Sequence, residues 1–502
     1  MPGRNCLPPG SEVVQSKKCT GTVGEQMKQF ALSRDGGQSL YQQIYAQLRA
    51  QIFSGEIAAG QPLPSYRFMS RKYQVNVATV EKAYDLLEAN GYIRRCQGSG
   101  CYVLPLDNFE FFADGVVLDS FQAGQSETGP VYDFATSTPL AEREETQQFV
   151  ALADELARQR PEALLRYPPT RGAPALTQAL RKHLAARGIA AADENILIVN
   201  GSQQGIDLIC KALIGKNTVV LAEDPSYSVA LHCFQRAGAR VVTVPLLVDG
   251  PDLDAVRAAL GQTPIDFYYT MTNYQCPSNV CWSERKRREL LALARENSFT
   301  IVEDDCLGDL AFDGRPRQTL RGLDSGDSVL YLNSFSKSLV PGLRLGYLLV
   351  PGRMEKRLIL AKFNADIASP ALLQEMLALY LQRGLYAAHL ERLVAQYAPK
   401  RRCMAQAILD AKHLSLPYPE QAGGVFFWVQ IPDAVDAVLL WKRLRLQGVK
   451  LMPGTVFSLT GSAQHFLRLS YVGCPLELIP EGISCIDREI DWLMAHQTST
   501  EM

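Results

Sequence analysis

Short β-rich runs alternate with helical stretches over about 230 residues of this 502-residue chain. The runs are NILIVN, NTVVLAE, ARVVTVPL, IDFYYTM, TIVEDD, SVLYLNS and LGYLLVP. Strands that alternate with helices form mostly parallel α/β sheets, with functional loops at the strand ends. From about residue 371, long helices precede GGVFFWVQI and HFLRLSYV, a pattern that indicates a smaller α+β lobe. We therefore predict a large α/β domain over residues 131–370 and a small lobe over residues 371–495.

The residues before this region carry a different pattern, in which three helices precede a hairpin. Apolar residues recur every four positions in LYQQIYAQLRAQI, which predicts an amphipathic helix with Ser39 as its N-cap. A second short helix is predicted to start near Ser65, and a third to follow Asn76. The runs YIRRC and CYVL, separated by QGSG, then predict a hairpin. This order is typical of a winged helix-turn-helix, a DNA-binding domain that we place at residues 38–104.

Charge and side-chain type divide the DNA-binding candidates into two sets. The third helix has to present short or polar side chains to base edges, and the candidates are Asn76, Ala78, Thr79 and Lys82. Phosphates are the expected partners of Arg67, Arg71, Arg94 and Arg95. The domain has a net charge of +3 in a chain whose total is -1. A solvated charged face is the alternative for any one arginine, but it does not explain the ordered set of helices and hairpin.

Other segments limit the class of protein. Residues 1–37 lack periodicity and are predicted to be a disordered tail, and residues 105–130 are predicted to be a linker. No apolar run approaches the ~18 residues of a membrane helix, and the first residues contain no signal-like apolar stretch. The 12 cysteines are scattered and include no C-x2-C pair, which favours reduced thiols over disulfides or a metal site. We therefore expect no membrane partner and no metal.

The segment SFSKSLVPGLRLGYLLVP, residues 334–351, carries the strongest chemical motif. It places Lys337 after a predicted strand, between Ser336 and another serine, with an arginine seven residues further on. Pyridoxal 5′-phosphate (PLP) requires such a set, namely an amine for a Schiff base and hydroxyl and guanidinium groups around its phosphate. We predict that Lys337 is the Schiff-base lysine and that Ser334, Ser336 and Arg344 form the phosphate cup.

Three further segments support a PLP site. NGSQQG lies between a strand and a helix, where Ser202 and Gln203 are candidate phosphate donors. TIVEDD ends a strand at Asp304, whose carboxylate would keep the pyridine nitrogen protonated. EDPSY places Tyr227 where it could stack on the ring. Each feature has an ordinary alternative (a glycine-rich turn, a capping acid or a core tyrosine), but all of them in this order are improbable by chance.

Both halves of the chain resemble known families. LYQQIYAQLRAQIFSGEIAAGQPLPS, YRFMSRKYQVNVATVEKAYDLLEANGYI and the GSGCYV wing resemble the GntR class of bacterial regulators, apart from Phe68, where an acid is usual. Residues 130–490 resemble the fold-type I aminotransferases, and the whole chain resembles the MocR subfamily of GntR regulators. By this resemblance, Tyr167 would reach the phosphate in the partner subunit of a homodimer, and Arg468 would bind the carboxylate of an amino-acid ligand.

The chain departs from the aminotransferase pattern around the ring oxygen of the cofactor. Aminotransferases usually have Asn before the proline of this loop, whereas here Cys276 precedes Pro277. A tyrosine usually follows the aspartate, whereas here the positions are occupied by Cys306 and Leu307. A thiol is a poor donor, so both usual donors are missing unless Asn273 or Tyr274 replaces them. We expect a raised aldimine pKa, weaker PLP binding and inefficient transamination.

Three functions follow from these features. The first is a PLP-dependent transcriptional regulator that senses an amine, an amino acid or PLP itself by aldimine exchange at Lys337. In this function, the two winged helices of a homodimer bind a double-stranded DNA operator. The second is a working aminotransferase with an appended DNA-binding module. The third is a dimerisation scaffold that has lost PLP. The first implies a bacterial cytoplasmic protein that is associated with the nucleoid when bound to DNA.

Overall fold

The computed structural model describes residues 39–53, 60–89, 92–96, 100–103, 131–139, 143–324 and 326–497, together with positions 32 and 57. The chain forms two compact units, Met1–Asn108 and Phe109–Met502. The predicted linker, and the predicted tail apart from position 32, lie outside the described residues. None of the described helices is long and apolar enough to cross a membrane.

The N-terminal unit contains the three predicted helices and the hairpin. They are α1 (Leu40–Phe53), α2 (Tyr66–Tyr73), α3 (Val77–Ala89), β1 (Ile93–Cys96) and β2 (Gly100–Val103). Ser65 caps α2, since its Oγ accepts a hydrogen bond from the backbone N–H of Phe68 at 3.3 Å. Gln74 ends α2 in the left-handed conformation, which sets the turn into α3. Ile44, Leu48, Met69 and Leu87 of the three helices are buried.

The described parts of the C-terminal unit contain thirteen further helices and thirteen further strands, apart from the short 3-10 turns, which are omitted here. The helices are α4 (Arg143–Gln159), α5 (Pro161–Leu165), α6 (Pro174–Ala186), α7 (Ser202–Leu213), α8 (Ser228–Arg236), α9 (Leu253–Gln262), α10 (Glu284–Asn297), α11 (Leu320–Leu323), α12 (Glu355–Asp366), α13 (Ala371–Gln382), α14 (Leu385–Asp410), α15 (Ala437–Leu446) and α16 (Ile479–Gln497). The strands are β3 (Tyr132–Asp133), β4 (Ile196–Val199), β5 (Val219–Asp224), β6 (Arg240–Leu247), β7 (Gly250–Pro251), β8 (Phe267–Thr270), β9 (Thr300–Asp304), β10 (Val329–Ser334), β11 (Gly346–Leu349), β12 (Phe426–Gln430), β13 (Val449–Lys450), β14 (Met452–Pro453) and β15 (Phe466–Ser470).

A mixed eight-stranded sheet forms the large domain, in the order β4-β11-β10-β9-β8-β5-β6-β7. Strands β10, β9, β8, β5 and β6 run parallel, while β11 is antiparallel to both of its neighbours. The predicted strands of the alternating region are all present, and the sheet is mostly parallel as predicted. Because β4, β5, β8, β9 and β10 point the same way, the residues that follow them gather at one edge, where ligands of such sheets bind.

The small lobe contains the three-stranded antiparallel sheet β12-β15-β14 and the helices α14, α15 and α16. Its core includes Trp428, whose ring stacks on Phe466 at a centroid distance of 5.2 Å. Strand β3, at the start of the predicted large domain, pairs in parallel with β13. Phe134 lies in the same apolar core as Trp428, so the lobe is completed by residues from the beginning of this unit.

Candidate functional site

The predicted phosphate cup lies beside the edge where β4 and β10 end. The guanidinium of Arg344 donates to Ser336 Oγ at 3.2 Å and to the backbone oxygen of Asn200 at 3.0 Å. Ser334 Oγ donates to Ser336 Oγ at 3.2 Å. A Cβ on Gly201 would lie 2.8 Å from Nη2 of Arg344, so glycine permits this close approach. The structure thus brings the hydroxyls, the guanidinium and the start of α7 together.

Two predicted phosphate donors, Ser202 and Gln203, are the first residues of α7. Their backbone N–H groups belong to the helix end that favours an anion, which is the property that the sequence motif predicts. The side chain of Gln203 donates to Cys233 Sγ at 3.4 Å. Its backbone rather than its amide side chain is therefore the group available for a phosphate.

A buried polar cluster that sequence analysis missed supports this cup. Lys362 Nζ donates to Asp366 Oδ2 at 2.6 Å and to Gln204 Oε1 at 3.1 Å. The Asn200 side chain also donates to Asp366 Oδ2, at 2.7 Å, while its backbone oxygen holds Arg344. Burial lowers the pKa of Lys362, and the nearby carboxylate of Asp366 opposes that effect. The cluster fixes Asn200, and through it the position of Arg344.

Asp304 occupies the end of β9, fully buried. It accepts hydrogen bonds from Tyr269 Oη at 3.3 Å and from the backbone N–H of Cys306 at 3.3 Å. Burial raises its pKa to about 6, even though these hydrogen bonds favour the charged form. No cation pairs with Asp304 among the described residues, so a protonated ring nitrogen would supply the missing partner. Tyr227 is half-buried at the start of α8 and interacts electrostatically with Asp304.

Lys337 follows β10, and its Nζ donates to Ser137 Oγ at 2.7 Å. Burial lowers the pKa of Lys337, which favours the neutral, nucleophilic amine. Cys306, Arg468, Cys276 and Asp304 all interact electrostatically with this lysine. The structure therefore brings Lys337 within electrostatic range of both the predicted ring-nitrogen partner and the predicted carboxylate-binding arginine.

Arg468 lies on β15 and is 7% exposed. Its guanidinium is packed against the rings of Phe426 and Phe457, at 4.6 and 5.2 Å from their centroids, and donates to the backbone oxygen of Ala135 at 2.7 Å. Its Nε has no hydrogen-bond partner among the described residues. Burial lowers its pKa. A buried guanidinium without an ion pair has the charge and the free donor that an anion such as a ligand carboxylate requires.

The side chains at the positions of the usual ring-oxygen donors are apolar or weakly polar. Burial raises the pKa of Cys276, and it raises the pKa of Cys306 well above that of an ordinary thiol, so both stay neutral. Neither suggested replacement is free. The Asn273 side chain donates to Asp305 Oδ1 at 2.8 Å and to Gln318 O at 3.0 Å. Tyr274 Oη donates to a backbone oxygen at 3.2 Å and accepts a hydrogen bond from an arginine. Leu307 is buried in the apolar core.

The residues fit PLP. A lysine amine, a buried carboxylate without a cation and an anion cup follow the carboxyl ends of strands of one sheet, and these are the groups that the cofactor requires. When bound, PLP supplies an aldehyde that bonds covalently to amines and a ring that withdraws electrons from the attached carbon. Lys337 would hold it, Asp304 would fix the proton of its ring nitrogen, and Arg344 with Ser334 and Ser336 would hold its phosphate.

Tyr167 differs from the other predicted site residues because it is 83% exposed. It follows α5 and contributes nothing to the cup of its own chain in the described contacts, as expected for a residue that acts in a partner subunit. Sequence analysis missed Ser137, Asn200, Lys362 and Asp366. Asn200 is the first residue of the NGSQQG motif, whereas Ser137, Lys362 and Asp366 reach the site through contacts with segments far apart in sequence.

The DNA-binding candidates lie on one unit and most are exposed. The exposed residues are Arg67, Arg71, Asn76, Ala78, Lys82 and Arg94, while Thr79 is half-buried. Asn76 Oδ1 accepts from the backbone N–H of Ala78 at 3.2 Å and so caps α3. Arg95 forms ion pairs with Asp85 and Glu88 of α3. These carboxylates compete with the phosphate contact predicted for Arg95 and give it a second role, that of holding the hairpin against α3.

The chain matches two family models, "Aminotransferase class I and II" over residues 130–486 and "Bacterial regulatory proteins, gntR family" over residues 40–103. It is 31% identical to the HTH-type transcriptional regulator TauR of Rhodobacter capsulatus, over 92% of this chain and 99% of that protein. It is 29% identical to the probable rhizopine catabolism regulatory protein MocR of Rhizobium meliloti, over 91% of this chain and 95% of that one.

Among solved structures, it is similar to LysN, the α-aminoadipate aminotransferase of Thermus thermophilus complexed with N-(5′-phosphopyridoxyl)-L-leucine. The TM-score is 0.69 at 30% identity, covering 76% of this chain and 95% of LysN. The family and this neighbour establish PLP as the cofactor of the fold. The chain therefore belongs to the aminotransferase class I and II family through its C-terminal unit and, as a whole, to the MocR subfamily of GntR-type transcriptional regulators.

Proposed function

We propose that the protein is a homodimeric regulator that binds an operator duplex and senses an amine, an amino acid or PLP at Lys337. The observation that carries this proposal is that Lys337 and Arg468 contact one short segment, through Ser137 and Ala135, in a site whose ring-oxygen donors are replaced by neutral thiols. The lysine and the arginine recognise the amine and the carboxylate of an amino acid. Neutral thiols are poor hydrogen-bond donors to the ring oxygen, so we expect a ligand to bind without efficient turnover.

The chain's own residues are sufficient for a signal without turnover. Arg468 has to exchange the backbone oxygen of Ala135 for a ligand carboxylate, and Lys337 has to become a free amine when a ligand amine takes its place. A ligand shifts the balance between two arrangements of the protein only by its difference in affinity for them. Arg468 and Lys337 contact neighbouring residues, Ala135 and Ser137. A single ligand that engages both groups can therefore favour one of the two arrangements of the protein.

The proposed dimer is supported by apolar side chains that the single chain leaves exposed. Leu360, Phe363 and Ile367 lie at helical spacing on and just after α12 and are 60, 51 and 42% exposed. Tyr167 is exposed as well, and exposed apolar side chains of this kind are typical of surfaces that a second copy covers. Two winged helices in a dimer recognise two half-sites. An operator-binding protein of this kind acts in the bacterial cytoplasm and joins the nucleoid when bound to DNA.

The absorbance spectrum of the purified protein after addition of PLP tests the sensor site. We expect a visible band that is absent in Lys337→Ala and that shifts when a responsive amino acid is added. The exposed lysine variant Lys356→Ala should keep the band. A spectrum of free PLP in the wild-type protein would contradict the proposal and leave the scaffold function.

A working aminotransferase is the second candidate, because relatives of the C-terminal unit carry this name. The 2-aminoadipate transaminase of Thermus thermophilus is 32% identical over 73% of this chain. Multiple turnovers with 2-aminoadipate and a keto acid would favour this function over a sensor. A single conversion of the cofactor without sustained turnover would favour the sensor.

Substitutions in the N-terminal unit test the DNA contacts. On a duplex selected from random sequence, Arg71→Ala should weaken binding about equally on all sequences and reduce the salt slope by ~1. Thr79→Ala and Lys82→Ala should relax the base preference instead. Arg95→Ala should weaken binding and also lower the stability of the hairpin, because it breaks the ion pairs to α3. A changed base preference in Arg71→Ala would contradict its assignment to a phosphate.

A further inference from the structure

The segment Asp133–Ser137 contacts both cationic groups of the candidate site. Ser137 Oγ accepts from Lys337 Nζ at 2.7 Å, and the backbone oxygen of Ala135 accepts from Arg468 at 2.7 Å. Lys337 belongs to the large domain and Arg468 to the small lobe. This short segment therefore joins the two groups that an amino-acid ligand would engage.

The same segment is fixed to the small lobe by its backbone. Phe134 N–H donates to Lys450 O at 2.8 Å, and Ser470 N–H donates to Phe134 O at 2.8 Å. Asp133 caps the following turn, since its Oδ1 accepts from the N–H groups of Ala135 at 3.0 Å and Thr136 at 2.9 Å. Any change at Ala135 or Ser137 is thus passed to a structured element rather than to an independent loop.

In sequence, the segment directly follows the residues that lead from the winged helix-turn-helix. We propose that Asp133–Ser137 is the coupling segment of the protein, with Ser137 as a positioning residue for Lys337, and that it transmits ligand occupancy toward the DNA-binding unit. This inference rests on the proposed sensing function. A ligand carboxylate competes with Ala135 O for Arg468, and release of Lys337 changes the hydrogens that its nitrogen can donate to Ser137.

Two small reagents separate the two contacts without knowledge of the natural effector. Aminooxyacetate carries a reactive nitrogen and a carboxylate, whereas O-methylhydroxylamine carries the nitrogen alone. In each case the bond between the cofactor carbon and the Lys337 nitrogen breaks and the reagent nitrogen takes its place. The two hydrogens of that nitrogen pass to Lys337, which leaves as a free amine, so no oxidant or reductant is needed.

The experiment uses the full chain loaded with PLP at saturating reagent, with absorbance to verify that every variant has reacted. We expect aminooxyacetate to change the affinity of the wild-type protein for a selected duplex by at least ~5-fold, within the usual range of coupling between sites. O-methylhydroxylamine should have a smaller effect, because it leaves the contact between Arg468 and Ala135 intact. Hydrogen exchange of a peptide spanning residues 131–139 should rise with aminooxyacetate.

Ser137→Ala should lose the change in DNA affinity caused by O-methylhydroxylamine and part of the change caused by aminooxyacetate, because the contact of Arg468 with Ala135 O is unchanged. Ser137→Thr should retain both responses, and Thr138→Ala is the matched control that should behave like the wild type. A full response in Ser137→Ala, or its loss in Ser137→Thr as well, would overturn the inference. A change in wild-type DNA affinity without altered exchange over residues 131–139 would overturn the coupling segment while supporting sensing. If the reagent reacts but neither quantity changes, the proposed function and the inference are both contradicted.

Discussion

At the phosphate end of the candidate site, the buried lysine has a carboxylate partner and the arginine is held by two hydrogen bonds, whereas at the ring end a buried carboxylate and a buried guanidinium form no ion pair among the described residues. Arg344 is held by Ser336 and Asn200, and Lys362 by Asp366. At the other end, Asp304 and Arg468 form no ion pair among the described residues. The phosphate end is therefore preformed in the single chain, whereas the charged groups at the ring end lack the counter-charges that a bound ligand would supply.

This difference suggests that anchoring and chemistry have separate structural requirements. The anchor depends on a helix end, hydroxyls and a guanidinium, all of which are present. Efficient transamination depends also on donors to the ring oxygen, which Cys276 and Cys306 replace poorly. A site that retains the first set without the second can bind an amine with little turnover.

Removal of the guanidinium at the phosphate end should have the largest effect. Arg344→Ala loses a charged hydrogen-bonding group worth ~1.5–3 kcal/mol, so we expect PLP affinity to fall by about 10- to 100-fold. Arg344→Lys keeps the charge but lacks the planar group of several donors, so its PLP affinity should lie between those of the wild type and Arg344→Ala. Absorbance titration with PLP measures the change. Unchanged affinity in Arg344→Ala would show that the anchor lies elsewhere.

The pH dependence of stability tests the ring end. Burial raises the pKa of Asp304 to about 6 in the ligand-free protein, above the ~3.9 of an unfolded chain. The folded protein therefore binds the extra proton between pH ~4 and ~6, and its free energy of unfolding falls as pH rises through this window, by at most ~1.4 kcal/mol per pH unit. Asp304→Asn should remove this contribution.

Denaturant unfolding of the ligand-free protein at several pH values measures that slope. Asp433→Asn, at an exposed aspartate, is the control and should keep the wild-type slope. An identical slope in Asp304→Asn would mean that a partner already compensates the carboxylate, and the contrast between the two ends would disappear.

Restoration of a donor at the ring end should have the smallest effect. Cys276→Asn supplies the amide usual in aminotransferases, and one net hydrogen bond of ~1 kcal/mol should tighten PLP binding about five-fold. It should also lower the pH at which the visible band of the cofactor titrates. Cys276→Ala removes the thiol without adding a donor and should show neither change. If both variants behave alike, the missing amide does not explain the altered site.

Local patterns predicted much of the fold and the anchor. Periodicity located α1, α2, α3 and the main strands, and the caps at Ser65 and Asn76 follow from short-range chemistry. The motif around Lys337 indicated the cofactor because its members are close in sequence. These features depend on neighbours within a few residues, which a single sequence displays directly.

Long-range contacts could not be predicted in this way. Ser137 and Lys337 are 200 residues apart, and Ala135 and Arg468 are 333 apart, so nothing local relates them. The pairing of Arg95 with Asp85 and Glu88 was also missed, because charge alone did not distinguish a phosphate contact from an internal ion pair. The occupied side chains of Asn273 and Tyr274 likewise required the positions of distant partners.

The pairing of β3 with β13 limits how the protein can be divided into modules. A chimaera that joins a foreign DNA-binding unit upstream of Tyr132 leaves the small lobe with its complete set of strands. A junction downstream of Phe134 would instead remove a strand and leave the backbone oxygens of Gly448 and Lys450 without their present donors. In evolutionary terms, exchange of the DNA-binding unit is compatible with this fold only when the crossover point precedes β3.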